Sequence, residues 1–186
     1  MSASWRSGAL VLLAGCGSAN AGQSDPQPCA PIEAPSAEVD AGKLGGQYAV
    51  RMVATAGGKR GSTAEGRMEL MPYPGGHRSD SSGGSSDTTY PLYGTAELDF
   101  ASVGAVVPGD PGSSDSLSPG VLVIERPGRV MLRVGSEANR RDVVRFDGAF
   151  TALQVTQVTD QGFAGTWRSG VGTESSEGHF CAARAT

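Results

Sequence analysis

After Gly45 this chain alternates hydrophobic and polar residues almost one by one, and Gly, Pro, Ser and Asp repeatedly cut the alternation. Successive side chains of a strand point to opposite faces, so a period of two marks strands with one buried and one solvated side. Tyr48, Val50, Met52 and Ala54 alternate with Ala49, Arg51 and Thr55, and Gly57-Gly58-Lys59-Arg60-Gly61 turns the chain. Met68 and Leu70 alternate with Arg67, Glu69 and Met71, and Pro72 ends that strand. Tyr90, Leu92, Ala96, Leu98 and Phe100 against Tyr93, Thr95, Glu97 and Asp99 make the clearest strand. Helical periodicity is nearly absent.

Two hairpins follow. Val121–Ile124 and Val130–Val134 flank Arg126-Pro127-Gly128-Arg129, and Pro then Gly suits the central positions of a type II turn. Phe150 to Val158 and Phe163 to Arg168 flank Thr159-Asp160-Gln161-Gly162. Beyond a loop at 169–175, a last strand carries His179, Phe180 and Cys181. Residues 74–89 are a low-complexity Gly/Ser segment that predicts a flexible loop. Residues 108–120 and 135–148 are further loops, with a candidate short strand from Val143 to Phe146 in the latter.

About eight strands joined mostly to their sequence neighbours predict an all-β fold, a small antiparallel meander barrel. A two-sheet β-sandwich is the alternative. Closure favours the barrel, because it removes the exposed edges that invite aggregation. In a meander alternate connections share one end. The loops at 101–120, 135–148 and 169–175 are therefore expected around one mouth, opposite the loop at 72–89.

The amino terminus has a different pattern. Arg6 precedes the apolar run Ala9-Leu10-Val11-Leu12-Leu13 and then small residues. This is the charged, apolar, small-residue order of a secretory signal, and the run is too short to span a bilayer. Leu13-Ala14-Gly15-Cys16 resembles the lipobox of bacterial lipoproteins. That resemblance implies cleavage behind Gly15, a diacylglycerol on the Cys16 sulfur, and a cell-envelope location with the membrane as partner through that lipid. Gly17 and Ser18 follow, with no Asp, which under the sorting preference of enteric lipoproteins implies the outer membrane. A cleaved signal with no lipid is the simpler alternative. The segment from Gly17 to about Gly42 carries Pro26, Pro28, Pro31 and Pro35 and almost no large apolar residue, which reads as a tether. The chain thus divides into a signal peptide at 1–15, a lipidated tether at 16–44 and a β-barrel domain at 45–186.

The three cysteines are an odd number for an oxidising compartment. With Cys16 lipidated, Cys29 and Cys181 remain, and a disulfide between them would clamp the tether to the last strand; two free thiols are the alternative. Spacing allows neither a zinc site nor a CxxC redox motif. The formal charge of −4 contains no basic stripe with interleaved aromatics, which argues against a nucleic-acid partner.

Candidate chemistry is sparse. Of the two histidines, His77 lies in the Gly/Ser loop and His179 on the last strand, and neither has a nucleophile beside it in a recognisable motif. No Gly-x-Ser-x-Gly elbow, Walker loop or HExxH occurs. Asp80 with Asp87, or Asp110 with Asp115, lack EF-hand spacing and read as solvated loop carboxylates. In Glu137-Ala138-Asn139-Arg140-Arg141-Asp142, the planar donors of Asn139, Arg140 and Arg141 suit a carboxylate or phosphate, against the simpler reading of a loop paired with its own acids. Trp167 is the one Trp beyond the signal, and is either core packing or the wall of a ligand cavity.

The domain also resembles lipocalin-type barrels. Gly46-Gln47-Tyr48 stands where that family has Gly-x-Trp on its first strand, while a true Gly165-Thr166-Trp167 sits near the other end of the chain. No helix pattern follows the last strand, a departure from that family.

These features point to a non-enzymatic envelope-anchored binding domain without cofactor or metal, taking a small apolar or anionic ligand or an envelope protein. The rivals are a periplasmic protein inhibitor acting through the loop at 101–120 and a structural outer-membrane accessory. An open interior lined by Tyr48, Leu98, Phe150 and Trp167 favours the first reading. A filled interior with a protruding loop favours inhibition.

Overall fold

The computed structural model describes residues 39–73, 88–108, 119–135 and 149–185. Their strands are β1 (Gly46–Ala56), β2 (Thr63–Pro72), β3 (Leu92–Leu98), β4 (Gly120–Arg126), β5 (Arg129–Val134), β6 (Phe150–Thr159), β7 (Gly162–Val171) and β8 (Glu174–Arg184). Each pairs antiparallel with the next, and β8 returns to β1 over a ladder from Tyr48↔Arg184 to Ala56↔Glu177. The sheet is a closed barrel, the meander expected from the sequence, and the β1–β8 ladder rules out the two-sheet sandwich.

Alternation decides what fills it. Tyr48, Val50, Met52 and Ala54 of β1 are buried, as are Phe163 and Trp167 of β7 and Phe180 and Ala182 of β8. Val121 and Val123, Val130 and Leu132, and Leu153 and Val155 complete the inner face on β4, β5 and β6. The Tyr48 and Phe163 rings meet edge-on with centroids 4.8 Å apart, and Phe163 meets Phe180 at 6.0 Å. Trp167 reaches across the wall and donates its indole N–H to the Val53 carbonyl at 3.2 Å. Gly178 makes that reach available. A Cβ there would lie 1.8 Å from the Val53 oxygen and 2.8 Å from the indole nitrogen.

The β4–β5 hairpin has the expected two-residue turn, with Gly128 at φ 70 as the second central position of a type II turn requires. Several expectations shift. The clearest strand is shorter than its pattern: β3 runs only from Leu92 to Leu98, with Thr89 bridging to Glu125 before it. The Asp99 side chain then accepts from the Ser102 N–H at 3.3 Å and turns Phe100–Val103 into a 3₁₀ helix. The loop expected at 169–175 contracts to Gly172-Thr173, because β7 and β8 stay paired out to Val171↔Glu174. Phe150 does not line the interior. Thr151, Leu153 and Val155 take the inward positions of β6, and Phe150 lies half-buried outside, beside its partner Gly170.

The stretch expected to end the tether also gains structure. Ala41–Leu44 form a 3₁₀ turn capped by the Asp40 carboxylate, which accepts from the Gly42 N–H at 2.9 Å. Ala41 and Leu44 are wholly buried in the core. The candidate strand Val143–Phe146 and the loop at 74–87 lie outside the described residues.

Candidate functional site

Strand connectivity puts the start of β1, the end of β8 and the β2–β3, β4–β5 and β6–β7 connections at one end. The wall there is built of large side chains, Tyr48, Leu70, Leu92 and Phe163. Leu44 drops in as a stopper. The Tyr48 hydroxyl donates to the carbonyls of Leu44 at 3.0 Å and Gly45 at 3.3 Å. Arg184 lies over the Tyr48 ring at 5.2 Å and donates to the carbonyls of Gly45 and Lys43. Burial raises the Tyr48 phenol above its ordinary 10.0, and the Arg184 charge and hydrogen bond pull it partway back.

The opposite end carries the β1–β2, β3–β4, β5–β6 and β7–β8 connections. The strand ends bearing the loops at 101–120, 135–148 and 169–175 thus share one mouth, opposite the one bearing 72–89. The wall here is small on six strands, Ala54, Ala64 and Ala96 on β1 to β3 and Thr151, Ser169 and Ser176 on β6, β7 and β8, while β4 and β5 contribute Val121 and Val134, all buried. Phe100, Val103 and Ala105 of the β3–β4 connection fill the space these residues leave. The strap of 99–108 is clipped down by two hydroxyls. Ser169 Oγ accepts from the Val106 N–H at 2.7 Å, and the Thr151 hydroxyl donates to the Val106 carbonyl. Those two hydroxyl oxygens lie 2.8 Å apart, and both residues are 1% exposed. Gly135 at the end of β5 packs against Pro108.

Of the residues singled out from the sequence, Trp167 is placed on the inner wall two positions before Ser169, on the same face of β7. Tyr48 belongs to the opposite end, and Leu98 is half-buried against the core. Cys181 points outward from β8 next to Arg51 and is not a free thiol. Cys16, Cys29, Asn139, Arg140 and Arg141 lie outside the described residues, as do His77, Asp80, Asp87, Asp110 and Asp115. His179 is half-buried on the outer face between Val53 and Thr166. Among the described residues, no three of His, Cys, Asp and Glu gather as a metal would require.

Sequence reading missed Phe100, Val103, Val106, Thr151 and Ser169. A signal existed for the two hydroxyls. Thr151 is in phase with Leu153 and Val155, and Ser169 with Phe163 and Trp167, so both occupy inward positions of otherwise apolar faces. Buried hydroxyls are placed where they find hydrogen-bond partners.

No family model matches this chain, and no curated protein matches its sequence. Among solved structures, EF1p2_mFAP2b bound to DFHBI aligns with 81% of this chain and 100% of its own, at 11% identity and a TM-score of 0.42. A redesigned β-barrel, mFAP1, bound to DFHBI aligns with 75% of this chain and 94% of its own, at 14% identity and a TM-score of 0.34. Neither likeness adds to what the strand ladders establish.

Proposed function

We propose that this protein is an envelope-anchored lipoprotein whose barrel is a non-enzymatic binding domain for a small, largely apolar ligand. The anchor is a lipid on Cys16, supported by the order of charged, apolar and small residues before Leu13-Ala14-Gly15-Cys16. Cys29 and Cys181 form the disulfide that clamps the tether to β8. Asn139, Arg140 and Arg141 belong to the connection that leaves from the strap end, where they would meet an anionic group on the ligand.

One observation carries the binding reading. At the strap end, walls of alanine and hydroxyl residues on six strands, with Val121 and Val134 on the other two, surround a volume that the chain fills with its own Phe100 and Val103. Eight-stranded barrels have an interior just wide enough to be packed with side chains or to hold one small ligand. Here the packing at one end comes from a connection, not from the walls, so it is separable from them. The interior is filled and not the open cavity expected for the binding reading, but the connection is tucked in and not protruding over 99–108, as inhibition through that loop would require.

Anilinonaphthalene sulfonate, an apolar anion, tests this. Trp167 is the only tryptophan of the domain, so saturable energy transfer from it to the dye reports occupancy inside the barrel. Phe100→Ala is expected to strengthen dye binding about tenfold while thermal unfolding stays cooperative. No saturable transfer in either protein would sink the binding reading. For the anchor, mass spectrometry of native material is expected to find a diacylglyceryl group on Cys16, and an unmodified terminus would remove it.

A further inference from the structure

The strap shows what chemistry its socket reads. Within the binding reading above, on which this rests, we propose that Thr151 and Ser169 form a recognition site for the backbone N–H and C=O of one extended residue. Its ligand is an extended peptide segment with apolar flanks, and Val106 occupies it in the closed protein.

The geometry is specific. An extended residue presents its own N–H and C=O on one side, from the two peptide groups that flank its Cα, and this pair meets both: Ser169 Oγ accepts the Val106 N–H at 2.7 Å, and Thr151 donates to the Val106 carbonyl. The proton count closes. Thr151 Oγ1 is within reach of both the Val106 carbonyl and Ser169 Oγ, the latter 2.8 Å away; with its one hydrogen given to the carbonyl, the contact between the two hydroxyls needs the Ser169 hydrogen. The arrangement copies a strand pairing, with two side chains standing in for the partner backbone. It lies inside a closed barrel, where no strand edge exists to pair with. Both hydroxyls are 1% exposed, so an occupant lacking donor or acceptor would strand a buried polar group. An ester, ketone or plain hydrocarbon fits the apolar space but fails that requirement. Ala105 and Val103 beside Val106 show the small aliphatic flanks the space takes.

The probe is the capped peptide acetyl-Ala-Val-Val-Pro-amide, which repeats residues 105–108, and its analogue with an ester oxygen in place of the first valine N–H. Binding is read from Trp167 fluorescence. In the full-length protein carrying Val106→Pro, which removes the strap's own donor, the peptide is expected to saturate about tenfold more tightly than in the unaltered protein. The ester is expected to bind about tenfold more weakly than the peptide, and adding Ser169→Ala is expected to abolish that difference. In the unaltered protein, excess peptide is expected to speed hydrogen exchange at the Val106 amide, a readout that needs no variant to fold. Equal affinity for peptide and ester overturns the proposal, as does dye binding without peptide binding; the binding reading survives both results. Failure of both dye and peptide overturns both.

Discussion

At one end of the barrel a tyrosine and an arginine hold the turn that leads into the first strand. At the other, a threonine and a serine hold a connection between two strands. Both closures use side chains to satisfy backbone groups, but they differ in what surrounds them. Tyr48 and Arg184 act on carbonyls of a turn whose Leu44 meets large wall residues, so removing Leu44 leaves a hole in a packed core. Thr151 and Ser169 act on a strap over mostly small wall residues, which carries its own Phe100 and Val103 into the core. Both closures join one core cluster, the first among large wall residues and the second among mostly small ones. On the binding reading proposed above, a barrel needs only one end to open, and the small wall residues are where that reading places it.

The largest expected effect is therefore at the closed end. Leu44→Ala should cost about 2–5 kcal/mol of global stability in chemical denaturation, because the surrounding large side chains cannot collapse onto the space. A loss under 1 kcal/mol would put the two ends on the same footing. Thr151→Val with Ser169→Ala should cost about 1–3 kcal/mol, from the stranded Val106 amide. The hydrogen-exchange pattern separates this case from the first: protection should fall across 99–108 and hold in β1 and β8. Global loss would show that the strap does not open apart from the rest of the core.

Tyr48→Phe should cost about 1 kcal/mol at neutral pH, the worth of one buried hydrogen bond. Its pH signature is sharper. The folded protein holds the phenol proton above the ordinary 10.0 at which the unfolded chain releases it, so that stabilisation is complete below pH 10 and is lost as pH rises through the folded value. The unaltered protein should lose stability above pH 10 faster than the Phe variant, as measured by denaturant midpoints from pH 8 to 11. The smallest effect is Arg184→Gln, about 0.5–1 kcal/mol for an exposed guanidinium over the buried Tyr48 ring, with no change in dye binding at the far end.

Alternation made much of the fold legible. Inward positions of β1, β2, β5 and β8 follow directly from residues such as Val50, Leu70, Leu132 and Phe180, because a strand's period admits only two phases and one is apolar. The β4–β5 turn was equally plain, since Pro127-Gly128 allows few conformations. Phe150 misled for the same physical reason in reverse. A large aromatic at a strand start reads as core, yet the phase of Leu153 and Val155 outvotes it and leaves Phe150 outside against Gly170. The Phe100 misreading was of another kind: alternation continued past Leu98, but the Asp99 cap ended the strand locally.

The candidate site was hardly legible. Thr151 and Ser169 lie 18 residues apart and Val106 lies 45 before Thr151, so no local pattern links them. Their association exists only once the barrel sets β6 beside β7 and the β3–β4 connection folds back across that end.

Local chemistry alone determined the strands, their buried phases, the tight turn and the antiparallel order, because each depends on residues within a few positions of one another. Closure of β8 onto β1, the contrast between the two ends and the hydroxyl clip on Val106 were decided by tertiary structure. Those depend on which distant residues share a height on the barrel, and that height is set by the register and bulges of all eight strands together.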